Sequence, residues 1–283
     1  MTSPSLHRRP LLVTGVPRSG TTWLARLLAT APGTALAGRE PMNPRGRQYA
    51  LGGTLDAWTR LREPTAGQRR RLRAAYRGLN PWVYSRYGAR QYAAPLPGTR
   101  VVVKDPCALL AIGPVAQITG AVPVLVYRHP GAVLASFRRM GWRPRVDEVR
   151  ELLPGLAPAD ADPATELASF WAAMHTAALA DLDQVPGAVV VSHSELAHSG
   201  AAGGERLLDA VGLRASARTA EELTKEGTRV TVAAGRLHDF DRSPQAVAEA
   251  WRADLSPEDL DIVERIAGPT LAALDLTRLQ LPG

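Results

Sequence analysis

Short apolar runs alternate along the chain with longer segments in which apolar residues recur at helical spacing. The most continuous run spans residues 122–127, and such a run is typical of a strand buried on both faces of a parallel sheet. The other predicted strands are residues 11–14, 34–37, 100–103 and 188–191. Because helical segments separate them, the pattern predicts an α/β fold in which helices flank a parallel β-sheet and form right-handed crossovers.

The predicted helices follow the strands. The first begins after residue 20. Others cover residues 108–118, 130–139 and 164–182, and further helical segments start at residues 205 and 257. The sequence from Ser256 onward is typical of a helix start, with Ser256 as the N-cap, Pro257 at the first helical position and acidic residues in the first turn. We find no internal repeat and no linker. We therefore expect residues 1–283 to form a single domain, with a helical insert at about residues 43–98.

This insert is rich in aromatic residues. It holds seven of the fifteen in the chain: Tyr49, Trp58, Tyr76, Trp82, Tyr84, Tyr87 and Tyr92. Two interpretations stay open. The rings form the core of a small helical subdomain, or their faces stack on sugar rings or hold the apolar part of a small molecule.

The chain is basic, with 34 Lys and Arg residues against 27 acidic residues and a net charge of +7. This balance favours anionic ligands, nucleic acid among them, although a codon bias toward arginine explains surface arginines equally well. Cys107 is the single cysteine, so an intrachain disulfide and a cysteine-based metal cluster are excluded. We therefore expect a reducing, cytoplasmic location. The sequence contains no segment typical of a signal peptide or a membrane span.

Residues 11–24 carry the most informative motif. A strand ends at Thr14, a loop bounded by Gly15 and Gly20 follows, and a helix begins. Backbone N–H groups and the helix dipole then point at one place, which makes an anion site. The two glycines have the spacing of the nucleotide-triphosphate loop G-x-x-x-x-G-K-[ST], but Thr21 occupies the lysine position and the cation is Arg18. The loop therefore predicts binding of a nucleotide phosphate without cleavage of a γ-phosphate.

Residues 17–24 resemble the 5′-phosphosulfate loop of the sulfotransferases that use 3′-phosphoadenosine 5′-phosphosulfate (PAPS). Residues 127–137 resemble the 3′-phosphate segment of that family, in which an arginine ends a strand and a serine follows eight residues later. Arg128 and Ser136 have this spacing. The segment at residues 38–44 is similar to bacterial members. The resemblance implies a P-loop-like sulfotransferase fold and an enzyme that transfers the sulfuryl group of PAPS to an acceptor hydroxyl.

The resemblance also implies roles in donor binding. The 5′-phosphosulfate would be wrapped by the loop residues Arg18, Ser19, Gly20, Thr21 and Thr22. Arg18 would in addition balance charge on the transferred group. Arg128 and Ser136 would bind the 3′-phosphate. Trp23 has two open interpretations, contact with the adenine and packing in the core. His129 departs from the family, which often has Asp or Asn at this position.

The resemblance implies that Glu40 is the general base, since bacterial and glycan-type sulfotransferases have an acid after the second strand. An acceptor hydroxyl loses its proton as it attacks sulfur, and a carboxylate within hydrogen-bond reach can take that proton. A structural pairing of Glu40 with Arg39 or Arg45 is the alternative. Lys104, at the end of the third strand, would stabilise charge on the bridging oxygen. Asp105 is a weaker candidate base, because an Asp-Pro turn also explains it.

The chain departs from cytosolic members in two further places. Those proteins often have Lys-x-His at the end of the third strand, where this chain has no histidine. Cytosolic members also have a glycine-rich segment near the end of the chain that closes over the nucleotide. This chain lacks that segment in the same form, and Arg236 or Arg242 is the candidate for a contact with the nucleotide. The histidines other than His129 are interpreted as structural or exposed; His193 and His198 lack a third partner for a metal, and we expect none.

Three other functions are less consistent with these residues. A P-loop kinase acting on a nucleotide or small molecule is the alternative, but the Walker lysine and an evident Mg²⁺-binding acid are missing. A nucleic-acid-binding role rests on net charge alone. A fold that binds without catalysis is disfavoured by the intact loop. We therefore expect a hydroxyl-bearing small-molecule acceptor, namely a carbohydrate, glycolipid or natural product, and no nucleic-acid partner.

Overall fold

The computed structural model describes residues 8–84, 89–225 and 243–282. Its sheet contains five parallel strands in the order β2-β3-β1-β4-β5. Their bounds are β1 (Leu11–Thr14), β2 (Thr34–Ala37), β3 (Arg100–Lys104), β4 (Val122–Tyr127) and β5 (Val189–Ser192). The predicted α/β class and the parallel sheet are confirmed. The predicted strands agree with the observed ones to within one residue.

Helices connect the strands throughout the described part of the chain. The α-helices are α1 (Thr21–Leu28), α2 (Ala66–Tyr76), α3 (Ile112–Thr119), α4 (Pro130–Met140), α5 (Val146–Val149), α6 (Pro163–Leu182), α7 (His193–His198), α8 (Gly200–Ala210), α9 (Ala217–Thr224), α10 (Pro244–Glu249) and α11 (Pro257–Thr277). Short 3₁₀ helices lie at Gly52–Thr54, Pro81–Val83, Ala89–Ala93, Pro106–Ala111 and Ala250–Asp254. None of these helices is both long enough and apolar enough to cross a membrane.

Helix ends depart from the predictions for local reasons. The segment at residues 108–118 begins as a 3₁₀ turn, because Asp105 caps it and Pro106 occupies its first position. α8 begins at Gly200 and so five residues before the predicted start; its glycines weaken the helical pattern. Gly204 is needed there, since an added Cβ would lie 2.2 Å from the side chain of Leu223 in α9. The predicted cap of α11 is confirmed, with Ser256 accepting a hydrogen bond from the N–H of Asp259.

The sheet is buried on both faces, which explains its continuous apolar runs. On β4, Val122, Val124 and Val126 belong to one apolar cluster, which includes residues of α1, α8 and α9. The neighbouring Leu125 and Tyr127 belong to the other cluster, which includes residues of α3, α4, α6 and α11. The helices therefore enclose the faces of the sheet and leave the ends of its strands for other contacts.

The aromatic residues of the insert divide between two environments. Trp58 and Tyr76 are buried in the larger cluster, whereas Trp82 and Tyr92 are exposed. Tyr84 meets Tyr92 edge-on at a ring-centroid distance of 5.6 Å. Trp58 and Tyr76 therefore pack into the main core beside the sheet and not into a separate core of the insert, whereas the contact of Tyr84 with Tyr92 is local to the insert. Tyr87 lies outside the described residues.

The close approach of β1 and β4 gives a test of the fold. A Cβ added to Gly15, directly after β1, would lie 2.2 Å from the carbonyl oxygen of Val126. We expect Gly15→Ala to lower the free energy of unfolding by about 1–3 kcal/mol, because β4 must shift to admit the methyl group. Thermal and urea denaturation followed by circular dichroism measure this change.

The matched control is Gly113→Ala in α3, where an added Cβ meets no atom within 4 Å. Alanine favours a helix over glycine, so this variant is expected to be as stable as the wild type or slightly more so. Equal stabilities for the two variants would contradict the packing argument for Gly15.

Candidate active site

Every strand of the sheet ends next to a residue of chemical interest. β1 leads into the loop at residues 15–20, β2 is followed by Glu40, and β3 ends with Lys104. Arg128 follows β4 and His193 follows β5. All five strands are parallel, so these residues lie at one edge of the sheet. The neighbours of β1 are β3 and β4, and the crevice where connections diverge from a central strand is the usual ligand site of open α/β sheets.

The loop after β1 is closed by a turn in which the N–H of Ser19 donates to the carbonyl of Val16 at 3.1 Å. Arg18 has a φ of 76°, in the left-handed region that a non-glycine residue adopts at a cost. Its Nε donates to Ser136 Oγ in α4 at 2.9 Å, and its guanidinium lies 5.7 Å from the ring centroid of Trp142. The structure therefore brings the two predicted nucleotide motifs into direct contact through Arg18 and Ser136.

Burial, with a smaller contribution from the neighbouring Arg139, lowers the pKa of Arg18 from its ordinary value. Two like charges close together disfavour each other, and burial disfavours the charged form as well. An anion bound beside the guanidinium offsets both effects, because it stabilises the charged form. The position of Arg18 is therefore suited to a negatively charged ligand.

His193 packs against the other end of the loop. A Cβ added to Gly20 would lie 2.4 Å from His193 Cδ2, and the ring of Trp23 lies 5.0 Å from that of His193. Burial and the neighbouring Arg128 lower the pKa of His193 to about 3, so its imidazole is neutral at physiological pH. His193 is therefore buried at the candidate site. In the sequence, its position just after a predicted strand was the feature that could have indicated its place in the site.

Three buried polar atoms in or next to the loop make no hydrogen bond within the described part of the chain. They are Thr14 Oγ1, Ser19 Oγ and His193 Nδ1. A buried polar group without a partner is costly, and a ligand that hydrogen-bonds to it removes that cost. Together with Arg18 and the N-terminus of α1, these groups suit a ligand with phosphate or sulfate oxygens.

Arg128 and Ser136 differ in their immediate contacts. Arg128 Nη2 donates to the carbonyl oxygen of Val247 in α10 at 2.5 Å, whereas buried Ser136 accepts from Arg18. Arg128 also lies close enough to His193 to affect its pKa. Arg128 is thus held between β4 and α10 at the same edge of the sheet as the loop. Its shared role with Ser136 in binding a phosphate stays a prediction.

Glu40 and Lys104 form an ion pair, in which Lys104 Nζ donates to Glu40 Oε1. Asn43 Nδ2 donates to the other carboxylate oxygen at 2.6 Å, so both oxygens of Glu40 are held. The alternative pairing is not the observed one, since Arg39 lies over the ring of Tyr49 and Arg45 pairs with Glu148. Asn43 was not identified from the sequence, although its spacing of three residues from Glu40 suits a turn.

Asp105 lies buried beside this pair. Its carboxylate accepts hydrogen bonds from the N–H of Met42 at 2.7 Å and from that of Cys107 at 3.0 Å. Burial, with a smaller contribution from Glu40, raises its pKa to about 8. Asp105 has no exposed surface and joins the segment after β2 to the end of β3. This geometry favours a structural role for Asp105, one that fixes the backbone carrying Glu40.

A model of the sulfotransferase family matches residues 10–217. The chain belongs to the sulfotransferase family. Among solved structures, the sulfotransferase domain from the curacin biosynthetic pathway is similar at 15% identity, with 97% of this chain and 99% of that chain covered and a TM-score of 0.53. The sulfotransferase domain of the Synechococcus PCC 7002 olefin synthase is 20% identical, with coverages of 94% and 98% and a TM-score of 0.47. A comparison with curated proteins found no match.

The predicted sulfotransferase fold is thus confirmed, and the structure explains one departure from the family pattern. His129 is the N-cap of α4, and its Nδ1 accepts a hydrogen bond from the N–H of Gly131 at 3.1 Å. Burial lowers its pKa to about 4, which keeps the ring neutral and able to accept. The imidazole stacks on Trp251 at 4.5 Å. In this sulfotransferase His129 therefore caps the helix as Asp or Asn would do.

Two further predictions concern the edges of the site. Arg236 and Arg242, the candidates for the late nucleotide contact, lie outside the described residues. Within the described ranges, no group of three or more His, Cys, Asp or Glu side chains is arranged to hold a metal ion.

The structural role of Asp105 in this sulfotransferase can be tested with Asp105→Asn. An amide oxygen replaces only one of the two carboxylate acceptors, and the amide NH₂ would face the N–H of Met42 or Cys107. We expect the free energy of unfolding to fall by about 1–3 kcal/mol. Chemical denaturation at pH 9, above the pKa of about 8 of Asp105, where both carboxylate oxygens accept, measures the change. Exposed Asp209→Asn is the control, and a normal stability of Asp105→Asn would argue against the structural role.

Proposed function

We propose that the protein transfers the sulfuryl group of PAPS to a hydroxyl of a small-molecule acceptor, and releases 3′,5′-ADP and a sulfate ester. Membership of the sulfotransferase family supports this function. The observation that carries the choice of donor is the hydrogen bond from Arg18 to Ser136. It joins the loop suited to a 5′-phosphosulfate to the helix whose motif resembles a 3′-phosphate segment, and PAPS carries both groups.

The donor would be held along the edge of the sheet. The backbone of residues 18–22 and the hydroxyls of Ser19, Thr21 and Thr22 would donate to the 5′-phosphosulfate. Arg128 and Ser136 would hold the 3′-phosphate, as the family motif implies. Trp23, whose ring lies 5.0 Å from that of His193, offers an aromatic face for the adenine. PAPS supplies an electrophilic sulfur with a phosphate leaving group.

Glu40 would act as the general base. Its carboxylate is oriented by Lys104 and Asn43, and a fifth of its side chain is accessible to solvent. When Glu40 takes the proton of the acceptor hydroxyl, its charge is lost and Lys104 no longer has a charged partner. The ammonium group of Lys104 can then stabilise the negative charge that develops on the bridging oxygen. One proton transfer would thereby activate the nucleophile and prepare the cation for the leaving group.

A kinase has less support. The Walker lysine position is Thr21, and the cation of the loop is Arg18. ATP with Mg²⁺ is therefore titrated separately, in buffer without chelator, as the alternative ligand.

The first test measures 3′,5′-ADP binding by calorimetry in the presence of a metal chelator. We expect the wild type to bind, and Arg128→Ala to bind about 10- to 100-fold more weakly because a charge-assisted phosphate contact is lost. Arg206→Ala is the control, since Arg206 is exposed on α8. No binding by the wild type, or preference for ATP with Mg²⁺, would reject PAPS as the donor.

The second test concerns Glu40→Gln. We expect kcat to fall about 10²- to 10⁴-fold, because an amide cannot take the proton of the acceptor. The rate is followed with radiolabelled PAPS and an acceptor identified among sugar, glycolipid and natural-product alcohols. Affinity for 3′,5′-ADP is expected to stay unchanged, whereas the melting temperature is expected to fall, because the amide NH₂ of Gln faces the ammonium of Lys104 or the amide of Asn43. The rate is therefore measured at a temperature at which the variant is folded.

Glu222→Gln serves as the control for this change, because Glu222 in α9 is paired with Arg26 at 4.0 Å, a longer ion pair than that of Glu40. A Glu40→Gln enzyme that retains wild-type kcat would show that another group accepts the proton.

A further inference from the structure

A cavity of about 620 Å³ lies beside the phosphosulfate loop. Pro17 of the loop forms part of its wall, and most of the remaining apolar wall is aromatic: Trp58, Phe137, Trp142 and Phe170. The volume is in the range of small-molecule sites, about 300–1,000 Å³. Because Pro17 precedes Arg18, an occupant of the cavity contacts the same loop that is suited to the donor.

Trp142 connects this cavity to the candidate active site. Its side chain is 41% exposed although it lies in a concave wall, and Phe137 meets it edge-on at 6.0 Å. The guanidinium of Arg18 lies 5.7 Å from the same ring. An aromatic surface left open in a cavity is covered when an apolar ligand binds. The apolar part of the cavity therefore borders the charged part of the site.

A second connection leads to Glu40. Asn43 donates to the carboxylate of Glu40 at 2.6 Å, and its side-chain oxygen accepts from the N–H of Arg45 at 3.0 Å. Arg45 lines the cavity. The proposed base and one wall of the cavity are thus held by a single side chain, which favours the cavity as the place of the molecule that Glu40 deprotonates.

Three arginines add a charged border to the aromatic wall. Arg45 and Arg145 share Glu148, at 2.7 Å and 3.4 Å, and Arg143 pairs with Glu166 at 2.8 Å. These pairs contain three guanidinium groups and two carboxylates. The arginine side chains are 45%, 64% and 60% exposed, whereas Glu148 and Glu166 are 21% and 13% exposed. Positive charge therefore faces solvent and the cavity, and the carboxylates lie behind it.

We propose that this cavity binds the acceptor, and that the acceptor is an amphiphilic alcohol with an apolar body and an anionic group, a carboxylate or a phosphate. The apolar body lies on Trp58 and Trp142, and the anionic group binds Arg143 and Arg145. A neutral saccharide stacks on aromatic rings but leaves the excess of positive charge unused. The transfer step rests on the proposed function: the acceptor O–H bond breaks as Glu40 takes the proton, an O–S bond forms, and the S–O bond to the phosphate breaks, with its electron pair leaving on 3′,5′-ADP.

The test compares two probes that differ in charge and by one methyl group, ω-hydroxylauric acid and its methyl ester. Binding is measured by tryptophan fluorescence and calorimetry without any donor, below the concentration at which the probes form micelles. We expect the acid to bind about tenfold more tightly than the ester. In the double variant Arg143→Gln/Arg145→Gln this preference is lost, and in the surface control Arg206→Gln it is kept. Equal affinities in the wild type, or a preference that survives in the double variant, would overturn the proposal.

Trp142→Ala tests the apolar part separately. It is expected to weaken both probes by a similar factor and to leave the ratio of their affinities unchanged, since the arginines are intact. Unchanged affinity for both probes would contradict the position of the apolar body. Thermal denaturation of each variant checks that it is folded.

Titration of the same preparations with 3′,5′-ADP distinguishes this proposal from the proposed function. If 3′,5′-ADP binds and the acid is not preferred, the acceptor class is wrong and the donor assignment stands. If the acid is preferred and 3′,5′-ADP does not bind, the cavity is an anionic amphiphile site and sulfuryl transfer from PAPS is rejected.

Discussion

β1 lies between β3 and β4, and its loop passes so close to Val126 that no side chain fits at Gly15. This close packing sets the position of the loop relative to the sheet. From that position the loop meets α4 through Arg18 and Ser136, and the start of α7 through Gly20 and His193. Segments more than a hundred residues apart in the sequence thus meet around one anion-binding turn, because the central strand brings them there.

The charged groups on the other half of the sheet depend on one buried carboxylate. Asp105 binds the N–H groups of Met42 and Cys107 and so determines how the segment after β2 approaches β3. In that arrangement Glu40 pairs with Lys104. A buried Asp, an ion pair and a polar Asn lie together here, and each holds the next in position. Precision of this kind is what a reaction needs when a proton and a sulfuryl group move in one site.

The sequence was sufficient for those parts of the structure that local pattern determines. The strands, the loop at residues 15–20 and the cap of α11 follow from apolar runs, glycine spacing and capping chemistry. Because the strands are parallel, the residues that follow them are expected at the same edge of the sheet. The resemblance to sulfotransferases supplied the family, which the match over residues 10–217 bears out.

What could not be predicted depends on contacts between distant segments. To predict the contacts of Asn43 and the burial of His193, one must know which segments of the chain meet at the edge of the sheet. The cavity combines Trp58 of the insert with Trp142 and Phe170 from much later in the chain, so no local pattern reveals it. The capping role of His129 could not be predicted for a different reason, because a neutral imidazole here caps a helix that Asp or Asn would usually cap.

Arg18 also has a thermodynamic consequence. One guanidinium touches Ser136 in the donor motif and faces Trp142 in the wall of the cavity. If the loop and the cavity bind ligands as proposed, a ligand that draws Arg18 toward the loop would change the wall, and an occupant of the wall would change the state in which Arg18 meets the first ligand. Linkage would then require each ligand to alter the affinity of the other by the same factor. A single side chain would couple the two halves of the site energetically.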